Sequence, residues 1–223
     1  MCHKALFVAL AVGLAAATSA QAQSSKFEIS AVAGWTFSDG VDGPAVSVPG
    51  EGPVNRIDPK DSFSWGLRCG SLLTENHEIG ALFDMQPTQL ELSGTGTATL
   101  GDINIFNYHA YYTYTFLDID AVARPYLLIG LGATNFSSVD VTLGDTPQSI
   151  GGSTEFSGTL AGGVKLFPFA SPKFGLRAEV RFTPTYIKSD PGGWWCGYWG
   201  CYLTEDPQYA NQWELNGGFV LRL

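Results

Sequence analysis

The chain has 223 residues, and 12 Lys+Arg against 21 Asp+Glu leave a formal charge of −9, a balance that argues against nucleic acid as a partner. After the amino-terminal segment no stretch offers about 18 or more uncharged apolar residues, which excludes a helical membrane protein. Roughly 200 residues then remain, enough for one domain.

His3 and Lys4 give a weakly basic start, Ala5 to Ala17 is apolar, and Ala20-Gln21-Ala22 supplies a small-x-small cleavage pattern. Residues 1–22 are therefore expected to be a signal peptide whose removal leaves residues 23–223 as a single exported domain. Three cysteines survive: Cys69, Cys196 and Cys201. Export permits a disulfide, and Cys196 with Cys201 is the expected pair because both lie in one aromatic-rich segment.

The first predicted strand, 26 to 37, puts Phe27, Ile29, Ala31, Ala33, Trp35 and Phe37 on one face and Glu28, Ser30 and Thr36 on the other. Residues 38 to 60 are rich in Gly, Pro and Asp, lack a period and read as a long loop. Strands at 61 to 73 and 78 to 93 follow, separated only by Thr74-Glu75-Asn76-His77. Arg68 opposes Phe63, Trp65 and Leu67 in the second strand, as Asp84 opposes Ile79, Ala81 and Phe83 in the third. Pro87 lies inside the third, where apolar parity moves to Leu90 and Leu92; a bulge or an end to lipid contact is expected there.

A short connection at 94 to 101 leads to the fourth strand, with Phe106, Tyr108, Ala110, Tyr112, Tyr114 and Phe116 opposite Asn107, His109, Thr113 and Thr115. The fifth sets Pro125, Leu127, Ile129 and Leu131 against Arg124 and Tyr126. Residues 137 to 153 read as a second long loop, 154 to 167 as the sixth strand with Lys165, and 173 to 187 as the seventh. In that strand Arg177, Glu179 and Arg181 oppose Leu176, Val180 and Phe182. A third long loop, 188 to 211, precedes a final alternating strand in which Glu214, Asn216 and Arg222 oppose Trp213, Leu215, Phe219, Leu221 and Leu223.

Long connections fall on alternate links, as expected when one rim faces the exterior and the other the periplasm. The predicted fold is all-β, an eight-stranded antiparallel up-and-down transmembrane barrel. In lipid an unpaired strand edge is costly, so the first strand must pair with the last. Eight strands leave a lumen that side chains can fill. Glu28, Arg68, Asp84, Arg124, Lys165, Arg177, Glu179, Arg181, Glu214 and Arg222 are expected to form an ion-pair network there, with His109 beside them. Tyr112, Tyr114, Phe116, Phe169 and Phe174 would form one interfacial aromatic band, and Trp35, Phe37 and Tyr186 the other.

Catalytic signatures are missing: no G-x-S-x-G, no H-E-x-x-H and no paired metal spacing appears. Neither an enzyme nor a cofactor or metal is expected. In the last long loop, Trp194, Trp195, Tyr198, Trp199 and Tyr202 form a candidate surface-contact cluster.

Arg124-Pro125-Tyr126-Leu127-Leu128-Ile129-Gly130-Leu131-Gly132, Phe174-Gly175-Leu176-Arg177-Ala178-Glu179-Val180-Arg181 and the ending Phe219-Val220-Leu221-Arg222-Leu223 carry a resemblance. On these stretches the chain resembles small outer-membrane β-barrel proteins of the OmpA/OmpX-like, opacity-porin superfamily. Such proteins commonly end in Phe, where this chain has Leu223. The resemblance implies a cell outer-membrane location and a structural or surface-interaction role, with outer-membrane lipids, lipopolysaccharide and the barrel-assembly machinery as partners and a monomeric state. A narrow porin or an adhesin is the alternative within that class. From another class comes a soluble secreted barrel holding a small apolar ligand, which requires the opposite facing of the strands.

Overall fold

A strand whose side chains alternate in solvent preference needs a surface with a different medium on each side. The computed structural model describes residues 27–48, 52–94, 97–143, 146–150, 152–168, 173–187, 192–197, 200–204 and 208–223; for 42–48, 52–55, 92, 94, 97–98, 139–143, 146–150, 192–197 and 200–204 only the backbone is described. In chain order the strands are β1 (Phe27–Ser38), β2 (Val41–Val48), β3 (Gly52–Pro59), β4 (Ser62–Leu72), β5 (His77–Gly94), β6 (Thr97–Thr115), β7 (Ala123–Phe136), β8 (Val139–Leu143), β9 (Thr146–Ile150), β10 (Ser153–Leu166), β11 (Phe174–Ile187), β12 (Gly192–Gly197), β13 (Gly200–Thr204) and β14 (Gln208–Arg222).

Eight of them, β1, β4, β5, β6, β7, β10, β11 and β14, make the barrel wall, each antiparallel to the next. The ring closes between β1 and β14, from Glu28 opposite Arg222 to Ser38 opposite Gln212. Closure leaves no open edge, the condition for strands in hydrocarbon. Trp35, Leu127, Leu160, Val180, Leu215 and Phe219 point outward and are exposed on the outer surface, while every charged strand residue of the expected network is buried inside. That facing is the reverse of a soluble barrel with an apolar lumen.

On one rim the connections are the segments 73–76, 116–122 and 167–173; the opposite rim carries three longer ones and the link 95–96 between β5 and β6. Those long connections differ from the structureless loops expected. In the first, β2 and β3 pair as a hairpin, and β3 then joins the edge of β5, Ile57 opposite Leu92 and Pro59 opposite Leu90. The second and third hold the hairpins β8–β9 and β12–β13. Gly, Pro and Asp obscure the period of these segments, but backbone pairing does not need one.

Pro87 does not mark a bulge. The β5–β6 ladder runs through Pro87 opposite Asn104, and its register shifts only between Leu90 and Glu91. On its other side β5 changes neighbour, with Met85 the last partner of β4 and Leu90 the first of β3. A residue without an N–H fits in that gap. Leu90, beyond it, has left the lipid face and turned into the mouth of the barrel.

Candidate functional site: the filled lumen

The alternation of five-residue stretches such as Arg177 to Arg181 brings charged side chains from opposite walls to the barrel axis, where they meet in three tiers. At the rim with the short turns, Lys165 Nζ binds the carboxylates of Glu28 and Glu78, the latter at 2.6 Å. Arg222 donates to Glu28 Oε1 through Nη2 at 2.6 Å and Nε at 3.0 Å, and its guanidinium lies 4.5 Å from the ring centre of Phe167. The Tyr111 hydroxyl donates to Glu78 Oε1 at 2.6 Å. Arg124, also buried, donates to the main-chain carbonyl of Glu75 at 2.6 Å.

Glu179 is the centre of the middle tier. Arg68 grips it with two parallel bonds, both 2.6 Å, the fork geometry that makes an arginine–carboxylate pair strong and specific. Tyr126 donates its hydroxyl to Glu179 Oε2 at 2.7 Å, and Arg177 Nε donates to that same hydroxyl at 2.7 Å. Above it, Arg181 links Asp84 on the far wall to Glu214 on the neighbouring strand. Asn216 joins the upper two tiers, donating to Glu214 at 2.9 Å and Glu179 at 3.3 Å.

A belt of neutral hydrogen bonds caps these charges. Gln212 donates to Gln86 at 2.8 Å, Thr134 to Asn107 at 2.7 Å, and Thr185 to Thr134 at 3.0 Å. His109 Nε2 lies 2.9 Å from Ser157 Oγ. The Ser157 hydroxyl is also bonded to Thr134 at 2.9 Å, so it is tied into the wall rather than presented as a nucleophile. Among the described residues no group of three His, Cys, Asp or Glu could hold a metal ion.

Two features of this lumen were not read from the sequence. Glu78 is buried and brings the buried charges to five carboxylates and six cations; its place directly after a turn hid its parity. Leu82, Tyr111, Tyr126, Leu128 and Ala161 form an apolar cluster inside the lumen, on one side of the charged tiers. Tyr126 follows the expected inward parity, but for the other four, apolar residues on both faces of a strand leave no alternation to read. Glycines make room for the long side chains: a Cβ at Gly163 would stand 2.5 Å from the Tyr126 hydroxyl, and one at Gly70 would stand 2.6 Å from that of Tyr111.

Outside, Tyr112, Tyr114, Phe116 and Phe174 are exposed towards the short-turn rim, and Trp35 and Phe37 towards the other. Tyr186 is half-buried against Tyr209, ring centres 5.8 Å apart. Phe169, Tyr198 and Trp199 lie outside the described residues, as do the side chains of Trp194, Trp195 and Tyr202.

The disulfide expectation is corrected. No disulfide is present among the described residues, and Cys69 is a free cysteine on the outer surface. The backbone of the β12–β13 hairpin sets Cys196 opposite Cys201 within a hydrogen-bonded ladder that runs from Gly192–Thr204 to Gly197–Gly200. Main-chain pairing joins the two strands of this hairpin.

The closed antiparallel ring, apolar outside and ionic inside, defines a transmembrane β-barrel of the outer-membrane class. Residues 7–216 match the family described as outer membrane protein beta-barrel domain, and the chain belongs to that family. It is a protein of the Gram-negative outer membrane. Among solved structures it is similar in fold to the outer membrane protein OprG of Pseudomonas aeruginosa, at 13% identity over 90% of this chain and 97% of that one, TM-score 0.57. It also resembles the outer membrane protein AlkL, at 13% identity over 92% and 93%, TM-score 0.50, and Neisserial surface protein A, at 18% identity over 89% and 97%, TM-score 0.49. No curated protein matches the chain.

Proposed function

We propose that this barrel serves the outer membrane as a structural and surface-interacting element, and that Glu28, Arg68, Asp84, Arg124, Lys165, Arg177, Glu179, Arg181, Glu214 and Arg222 act together as its plug. The observation that carries the reading is Glu179, completely buried at the barrel axis with Arg68, Arg177, Tyr126 and Asn216 all bonded to it. A carboxylate held by four side chains from different strands fixes the wall spacing and fills the space a solute would need. Mature chains beginning at Gln23, after loss of a signal peptide at 1–22, would reach the membrane through the barrel-assembly machinery and work as monomers. Their outer loops, including Trp194, Trp195, Tyr198, Trp199 and Tyr202, would face lipopolysaccharide or another surface.

Planar-bilayer recording tests the plug: the intact protein is expected to give no stable conductance, and a steady open channel would overturn the reading. Deleting residues 192–202 tests the surface role separately. Adherence to lipopolysaccharide-coated beads is expected to fall while the heat-dependent gel shift of the folded barrel stays; unchanged adherence would confine that loop to packing.

A further inference from the structure

The lumen changes character at one height. Up to the neutral belt the side chains at its axis are charged or carry amides and hydroxyls, as Gln86, Thr134, Thr185 and Gln212 do, with one apolar cluster around Leu82, Leu128 and Ala161 to the side. Beyond the belt the wall strands, joined by β3, turn apolar side chains inward. Ile57, Leu90, Ile103, Phe136, Ile187 and Ala210 line a cavity of about 200 Å³ at the outer mouth. Ile103 is packed against Leu90 and Phe136. Ile105 stands between the belt residue Gln86 and Phe136 in register, and is completely buried.

A merely wet vestibule gives no reason for this reversal, since apolar walls in water are unfavourable. Among the described lining residues the only polar side chains are Ser137 and Ser153, and none is ionisable. Carboxylates stand near its entrance instead: Asp61 accepts from the main-chain N–H of Ser38, and Asp58 is held by Arg56. Arg56 and Lys60 stand among these carboxylates, so the rim selects no sign of charge, and any ion would lose its hydration against the apolar walls. The belt beneath is a closed floor, so an occupant enters and leaves at the outer side. For scale, an apolar cavity of roughly 150 Å³ stays dry and takes benzene.

We propose that the outer mouth is a binding cup for a small uncharged apolar molecule, of the size of a one- or two-ring aromatic hydrocarbon. Naphthalene is the probe that tests it, added to the full-length protein in lipid nanodiscs with labelled isoleucine δ1-methyl groups. Saturable shifts are expected at Ile57, Ile103 and Ile187. Ile79 and Ile129, which face lipid, report simple partition into the bilayer and are expected to shift in proportion to the naphthalene added. Ala210→Phe should fill the cup and weaken the saturable component by roughly tenfold or more, the scale by which apolar pockets respond to added or missing carbons, with the heat-dependent gel shift retained. Should that variant not fold, Ile103→Thr replaces one apolar wall with a hydroxyl, and Ile57 and Ile187 report the same loss. The proposal is overturned if only Ile79 and Ile129 respond, if the folded variants bind as tightly as the parent, or if contacts from residues 139–150 to Ile187 fill the cup before naphthalene is added.

Discussion

The barrel makes two kinds of ion pair in two different solvents. At the axis, Arg68 and Glu179 are both 0% exposed and meet in a double hydrogen bond at 2.6 Å. At the outer mouth, Lys60 and Glu91 meet at 3.2 Å with 56% and 31% of their side chains exposed. Water and salt already serve the second pair, so its partners lose little apart. Nothing serves the first pair except its neighbours, and a missing partner leaves a charge stranded where solvation cannot reach. The contrast separates a region that fixes the barrel from one free to change with its surroundings.

The sharpest way to break that contrast is Glu179→Ala. Arg68 and Arg177 would remain buried without their shared carboxylate, and a loss of about 3–5 kcal/mol of folding stability is expected, as when one partner is removed from a buried pair. Urea unfolding of the protein in lipid vesicles measures it. A loss near 1 kcal/mol would mean that water enters the lumen freely and that the two regions do not differ in kind.

A charge on the lipid face asks the complementary question. Val180 lies halfway along β11, exposed on the outer surface, whereas Leu176 stands near the short-turn end of the same strand and face. Val180→Arg is expected to cost about 2–4 kcal/mol and Leu176→Arg about 0–1 kcal/mol, the fall from bilayer midplane to interface. Equal small effects would show water at both depths. In the neutral belt, Thr134→Val removes a hydroxyl shared by Asn107, Ser157 and Thr185. The expected loss is about 1–3 kcal/mol, the desolvation cost of buried groups left without a partner, again by unfolding in vesicles. A neutral result would mark the belt as already hydrated.

How much of this could be read in the chain follows the same division. Arg177, Glu179 and Arg181 alternate with Leu176, Val180 and Phe182, and one period of two is enough to assign their faces. Closure likewise follows from lipid, which tolerates no free edge. Burial of Leu82 and Leu128 was not legible, because an apolar side chain is at home in hydrocarbon and in a packed lumen alike. Leu90 and Ile103 show this most clearly. Their parity change after Pro87 is visible in the sequence, but only the three-dimensional path of β5, passing from β4 to β3, shows that they enter the mouth. Loop hairpins escaped for a third reason: the β2–β3 pairing is a main-chain event written over Gly and Pro.

The smallest expected effect tests the other half of the comparison. Lys60→Ala removes the exposed partner of Glu91, and the main-chain bond from Lys60 N–H to the Gln89 carbonyl, 2.8 Å, survives the substitution. Only the charge interaction is therefore deleted. An exposed pair is worth about 0.2–1 kcal/mol and is screened by salt, so the variant and parent should unfold within that margin at low ionic strength and coincide at high salt. A larger loss that persists in salt would place this pair in the same low-dielectric regime as Arg68 and Glu179. The outer mouth would then be as rigid as the plug, and the apolar cup inside it would be part of a fixed core rather than a site open to a guest.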